Sequence, residues 1–172
     1  MNAGPMRIEV RDATAADLPA TLDIYNELIG STTGAWTEQP QTIAERRAWF
    51  ARQQQRGFPT LVAVDGAEIV GMTGYGDFRD SVHWPGYRFT AEHSIHVRGD
   101  RLRCGIGRRL MDELLGRARA AGIHVLVGAI DADNEVSIRF HETFGFVEVA
   151  RLPETGFKFG RRLDLVLMQR AV

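Results

Sequence analysis

The sequence predicts a mixed α/β domain, a central mixed sheet flanked by helices, and three observations carry that prediction. Helix-period and strand-period segments alternate in the order β-α-α-β-β-β-α-β-α-β-β, an alternation that calls for a sheet covered by helices on its faces. At 172 residues the natural expectation is one domain, residues 1–172. A chain of that size buries roughly two thirds of its unfolded surface, enough for a core without disulfide or metal. The composition is that of an ordinary globular protein: 44% hydrophobic, 25% charged, with a formal net charge of −1.

Arg7 to Val10 makes a short extended start. Thr14 caps a predicted helix from Ala15 to about Ile29, in which Leu18, Leu22, Tyr25 and Ile29 recur at helical spacing. A polar turn with Thr32, Thr33, Gly34 and Trp36 precedes a second helix, Thr42 to Gln55, which ends at Gly57 and Pro59. Thr60 to Val64, Asp65-Gly66 and Glu68 to Tyr75 read as a β-hairpin, because Asp-Gly suits a primed turn. A loop with His83, Trp84, Pro85 and Gly86 leads to a strand over 88–97. Gly105-Ile-Gly107 opens a third helix. Its apolar face holds Ile106, Leu110, Met111, Leu114, Leu115 and Ala118, and Gly122 is its C-terminal cap. A buried strand over 124–130, a helix over 134–144 and strands over 146–152 and 156–169 complete the chain.

Charge and composition narrow the function. A near-neutral balance argues against a general nucleic-acid binder, which carries a basic excess. The longest apolar run, Val125 to Ile130, is far short of the ~20 residues that span a bilayer, so no membrane partner is expected. Met1 to Arg7 lacks a charged segment followed by an apolar one, so no secretory leader is visible. The single cysteine, Cys104, cannot form an intramolecular disulfide and fits a reducing compartment; the expected location is cytoplasmic. A metal site is not expected. His93 and His96, three apart on a strand, point to opposite faces, and no His-Glu-x-x-His or cysteine cluster exists.

The segment after Val97 has the makings of an anion site. Two glycines open a helix whose first amides point outward and whose dipole favours negative charge. Arg98, Arg101, Arg103, Arg108 and Arg109 cluster there and can screen a pyrophosphate. No Gly-Lys-Ser/Thr follows, which excludes a nucleotide-hydrolysing P-loop, and Leu110 stands where a dinucleotide fingerprint needs its third glycine. An arginine-rich solvated helix start is the bland alternative.

Here the sequence resembles the GNAT superfamily of acetyl-CoA-dependent N-acetyltransferases. The family loop Gln/Arg-x-x-Gly-x-Gly/Ala appears as Leu102-Arg-Cys-Gly105-Ile-Gly107, with leucine in the first position. Asn134 and His141-Glu-Thr-Phe-Gly145-Phe146 continue the resemblance; His141 stands where tyrosine is commonest. Nearly the whole chain is similar to the phosphinothricin and methionine sulfoximine acetyltransferase branch, through Thr32-Thr-Gly-Ala-Trp36, Gly74-Tyr-Gly-Asp-Phe-Arg79, Glu92-His-Ser-Ile-His-Val97 and Gly156-Phe-Lys-Phe-Gly-Arg-Arg-Leu-Asp164. Tyrosine is usual in place of His96 and tryptophan in place of Arg162. The resemblance implies the GNAT fold, acetyl-CoA as co-substrate, a small amino-acid-like acceptor with a carboxylate and a second polar head, and a homodimer.

It also implies roles. The amine must lose a proton before it attacks a thioester, and Glu92 matches the branch's base; otherwise it is one half of a cross-strand charge pair. On a regular pleat Glu92, Ser94 and His96 share one face. His141 is expected to return a proton to the departing thiolate, or else to be a helix-surface histidine. The backbone of Ile95, His96 and Val97, with Arg103, Cys104, Gly105, Ile106, Gly107 and Arg108, is expected to hold acetyl-CoA. Asn134 either bonds the pantetheine amides or caps its helix. Arg79 offers a fork to the acceptor's carboxylate, and Lys158, the one lysine beside 20 arginines, a point charge to its second head; each is otherwise a solvated surface cation. A nucleophilic role for Cys104 is not expected, because direct attack needs no acyl-enzyme. Acetylation of a peptide N-terminus, of a polyamine or aminoglycoside, and acyl-CoA sensing without turnover are the rival functions.

Overall fold

The structure is a computed structural model and describes residues 7–172; the reading of Met1 to Met6 lies outside them. Among the described residues seven strands and four α-helices follow the predicted order. They are β1 (Ile8–Asp12), α1 (Leu18–Ser31), α2 (Ile43–Gln55), β2 (Thr60–Asp65), β3 (Glu68–Asp77), β4 (Thr90–Val97), α3 (Ile106–Ala120), β5 (Val125–Asp131), α4 (Glu135–Glu142), β6 (Val147–Lys158) and β7 (Arg161–Ala171). Among the described residues no helix is long and apolar enough to cross a membrane.

The described residues divide into two compact units, 7–26, 41–75 and 94–117 in the first, and 27–40, 76–93 and 118–172 in the second. In the first, the strands run β1-β2-β3-β4, with β1 and β3 both antiparallel to β2. Helix α1 is preceded by a 3₁₀ turn, Ala15–Asp17, where Thr14 donates its N–H and hydroxyl to the Asp17 carboxylate that Arg11 grips with two nitrogens. Thr42 caps α2 by accepting from the Glu45 N–H, and Glu45 answers on the Thr42 N–H, a closed capping box. The hairpin turn is Gly66-Ala67, one residue later than the Asp-Gly signal suggests. Gly66, at φ 61°, opens the two-residue loop, as a type II′ turn requires. The core joins Ile8, Ala63, Val70, Ile106 and Leu110, with Ile95 and Val97 packed on it.

In the second unit the strands run β4-β5-β7-β6, β4 lying parallel to β5 with Glu92 opposite Val127. Leu126, Val166, Met168 and Phe146 are fully enclosed there. One sequence reading is corrected. Pro153-Glu154-Thr155 is not the break between the last two strands but an irregularity inside β6, where register slips between Leu152 and Gly156 and Glu154 takes φ 54°. The turn lies at Phe159-Gly160, with φ 51° and 73°, so both central residues are left-handed, as a type I′ hairpin demands.

Candidate active site

In the first unit, β4 runs into the 3₁₀ turn Gly99–Arg101 and then the loop before α3. Arg103 (φ 61°) and Gly105 (φ 77°) both take the left-handed region, which folds the loop back on itself ahead of the helix. A Cβ on Gly105 would meet nothing within 4 Å, so the loop mouth is open. Arg109 makes the first helical bond, to the Gly105 carbonyl, and leaves the amides of Ile106 and Gly107 without an intrahelical acceptor. Ile106 is buried beneath, anchoring the helix start, while Arg103, Cys104 and Arg108 lie exposed. Open space, outward amides and the positive end of a 15-residue helix fit a pyrophosphate.

Not all five arginines are available. Arg98 is tied to Asp100 and Glu68, Arg101 to Asp65 and Glu68, and Arg109 donates to the Ile8 carbonyl. Arg98 and Arg101 brace the loop against the β2–β3 hairpin tip, Arg109 ties the start of α3 to β1, and Arg103 and Arg108 lie exposed at the loop mouth. Sequence reasoning missed Gly71, on β3. A Cβ there would sit 3.0 Å from the His96 carbonyl and from Leu110, so its absence lets β3 pass beside His96.

His96 faces Tyr25 edge-on at 6.0 Å, and enclosure together with the nearby Arg46 charge lowers its pKa to about 4. Arg46 is a second feature that the sequence reading missed. The residue is 4% exposed, and its guanidinium lies over Trp49 at 4.4 Å and Tyr25 at 5.3 Å and donates to the Thr21 hydroxyl and the Met72 sulfur. Burial lowers its pKa to about 10, and the two rings offset part of the desolvation.

In the second unit Glu92 is half-buried on β4, and burial alone raises its pKa. A carboxylate so placed is a stronger base than a solvated one. Arg79 is exposed just beyond β3, its guanidinium 5.6 Å from the Tyr87 ring.

Two sequence expectations, those for His141 and Lys158, are corrected in this unit, and the capping role of Asn134 is seen. His141 is 3% exposed, ringed by His93, Phe140 and Phe146. Its Nδ1 lies 2.7 Å from the Ser137 carbonyl, so Nδ1 carries the hydrogen and Nε2 the lone pair. Burial lowers its pKa and favours that neutral form, which holds no proton at Nε2 to give a thiolate. Gly128 makes the packing possible: a Cβ there would stand 3.3 Å from Nε2 of both His141 and His93. Asn134 is the cap of α4, its Oδ1 accepting the Ser137 N–H, so of the two roles foreseen the structure exhibits capping. Lys158 is not a solvated cation. It is fully buried, and its Nζ donates to the carbonyls of Thr32 at 2.5 Å and Ala35 at 2.7 Å. Among the described residues no group of three or more His, Cys, Asp and Glu is placed to hold a metal.

Comparison with known proteins agrees with this geometry. Residues 21–146 match the acetyltransferase (GNAT) family. The L-methionine sulfoximine/L-methionine sulfone acetyltransferase of Pseudomonas paraeruginosa is 46% identical over 95% of this chain and 94% of its own. The phosphinothricin N-acetyltransferase of Alcaligenes faecalis is 35% identical over 94% of this chain and 81% of its own. A Sinorhizobium meliloti phosphinothricin acetyltransferase solved with acetyl-CoA superposes with a TM-score of 0.91 at 34% identity, over 97% of this chain and 89% of its own.

Proposed function

Because the chain belongs to the acetyltransferase (GNAT) family and is an acetyl-CoA-dependent N-acetyltransferase, we propose that it acetylates the α-amine of small amino-acid analogues such as methionine sulfoximine, methionine sulfone and phosphinothricin. The observation that carries the acceptor class is the near end-to-end similarity to relatives named for those substrates. In this reading residues 1–172 act as one acetyltransferase domain.

Acetyl-CoA supplies an acetyl group already activated as a thioester. The amides of Ile106 and Gly107, the left-handed turn through Arg103, Cys104 and Gly105, and the side chains of Arg103 and Arg108 bind its pyrophosphate. The β4 backbone at Ile95, His96 and Val97 holds the arm, and the carboxamide nitrogen of Asn134 is still available to it. Glu92 accepts the ammonium proton, directly or through water, and leaves the amine lone pair free to attack. Arg79 binds the acceptor's carboxylate through its fork. With His141 neutral and its Nε2 unprotonated, the departing thiolate takes its proton from solvent.

The apolar side chains exposed along β6, among them Val147, Val149, Leu152 and Phe157, support a homodimer, and the lone thiol of Cys104 supports a reducing, cytoplasmic location. A thiol-release assay with acetyl-CoA against amino-acid analogues and N-terminal peptides tests the acceptor. Turnover of methionine sulfoximine or phosphinothricin is expected; turnover of peptides alone replaces this reading with N-terminal acetylation.

A further inference from the structure

The loop between β4 and α3 has little of its own to hold it. Leu102, the first residue of the glycine motif, is 59% exposed and offers no polar side chain to anchor the turn. Arg103 nonetheless takes a left-handed backbone, which a residue with a long side chain adopts only where its surroundings impose it. The surroundings are supplied by the tip of the β2–β3 hairpin, in the same compact unit. Asp65 ends β2 and Glu68 begins β3, paired across the turn. Glu68 Oε2 accepts from Nη2 of Arg98 at 3.0 Å and from Nη2 of Arg101 at 3.2 Å, and Asp65 Oδ2 accepts from Nη1 of Arg101 at 3.3 Å. The Arg98 N–H donates to the Val70 carbonyl and the Arg101 N–H to the Arg98 carbonyl, so both guanidiniums spring from backbone that is already tied down.

The charges in this cluster decide what the two arginines are for. Asp100 also accepts from Arg98, at 2.6 Å, so Asp65, Glu68 and Asp100 stand against Arg98 and Arg101 and leave an excess of negative charge. A cluster of that sign does not draw a phosphate. Arg98, and less strongly Arg101, holds the Glu68 carboxyl below the ordinary glutamate range, so the network is fully ionised at neutral pH. A single exposed ion pair contributes little, but linked pairs that join two separate segments fix one against the other. Two arginines beside an anion site, neutralised by carboxylates from a hairpin, are built to hold the loop and not its ligand.

We propose that Asp65 and Glu68 are positioning residues for acetyl-CoA: through Arg98 and Arg101 they hold the 98–105 loop in the shape that aims the Ile106 and Gly107 amides, and they touch no part of the co-substrate. A loop ordered before binding loses no freedom when the ligand arrives, so none of the affinity goes into ordering it. This inference rests on the reading that places the pyrophosphate at the start of α3.

A brace and a phosphate ligand predict opposite signs for one substitution. Glu68→Gln keeps the shape of the side chain and removes its charge. Arginines that bound phosphate would be released by it and would tighten acetyl-CoA; arginines that brace the loop lose their anchor, and acetyl-CoA weakens. Titration calorimetry on the full chain measures the Kd, with circular dichroism and thermal melting as checks on the fold. Glu68→Gln and Asp65→Asn are each expected to raise the acetyl-CoA Kd roughly three- to tenfold. Arg101→Gln should do the same, and combining it with Glu68→Gln should add little, as residues of one network behave. Asp100→Asn removes a charge of the same sign from the same cluster but leaves both links to the hairpin, so its Kd should not rise. S-Acetylpantetheine carries the same thioester and arm without the pyrophosphate, so its kcat/KM should stay within about twofold of wild type in every variant. An unchanged or lower Kd in Glu68→Gln would overturn the proposal, as would an equal rise in Asp100→Asn. Equal losses with S-acetylpantetheine would overturn it too, because they indicate an effect on the whole fold. Wild-type acetyl-CoA affinity in Gly107→Val removes the underlying pyrophosphate reading, and this inference with it.

Discussion

Acidification should expose His96. In the folded chain its imidazole titrates near about 4, against 6.5 for the solvated group, because burial and the Arg46 charge both disfavour the imidazolium. The unfolded chain therefore binds that proton more readily. The stabilisation from a neutral His96 is fully present above pH 6.5 and is lost as pH falls from there towards 4. With 1.36 kcal/mol per pKa unit, the whole difference is about 3 kcal/mol, of which about 2.5 kcal/mol is already lost at pH 4.5 relative to pH 7.5. His96→Gln keeps a polar side chain without a titrating ring. Urea unfolding of both proteins at pH 7.5 and 4.5 should show the wild type losing about 2.5 kcal/mol more than the variant. Proton NMR of the imidazole should place its midpoint well below 6, and Arg46→Met should move that midpoint up. Parallel losses in the two proteins, agreeing within about 0.5 kcal/mol, would refute the reasoning, because no buried titration would then separate them.

Three further outcomes bear on the chemistry. Glu92→Gln keeps the shape and removes the base; kcat should fall by roughly 100-fold or more with acetyl-CoA affinity intact. The wild-type acid limb of kcat/KM, lifted above the ordinary ~4.3 of a glutamate because Glu92 is buried, should vanish with it. Gly107→Val puts a branched side chain at the helix start and should abolish acetyl-CoA binding by calorimetry while circular dichroism stays unchanged; retained affinity would move the pyrophosphate elsewhere. Arg79→Ala removes a charged hydrogen bond of about 1.5–3 kcal/mol, so KM for methionine sulfoximine should rise roughly 10- to 100-fold and KM for acetyl-CoA should hardly change.

What was legible in the sequence was what local periodicity encodes. Ile106, Leu110, Met111 and Leu114 repeat every three or four residues, and the structure buries all four. Thr42 with Glu45 announced a helix start and makes one. The loop at Gly105 was legible because two glycines before an amphipathic helix have few other uses. Partners brought together from distant segments were not legible. Arg98 and Arg101 read as free cations because Asp65 and Glu68 lie thirty or more residues away. Lys158 read as a ligand because a lysine is ordinarily solvated, and nothing in its neighbourhood announces two carbonyls from the other end of the chain. His141 misled for a related reason: the motif gives its position, but the burial that withholds its proton comes from Gly128 and Phe146. The last turn was misplaced because Pro153 looks like a terminator, yet an edge strand tolerates proline at a bulge.

That bulge governs how the sheet meets other sheets. β6 is an outermost strand, with unpaired backbone groups along one side and apolar side chains on display, which is ordinarily a template on which a foreign strand can crystallise. Pro153 offers no N–H there, and Glu154, turned left-handed, gives its own to Asp164 on the neighbouring strand. The edge is thus cut into two short runs that no long straight strand can zip along. The interruption protects the sheet from open-ended growth by strand addition along this side.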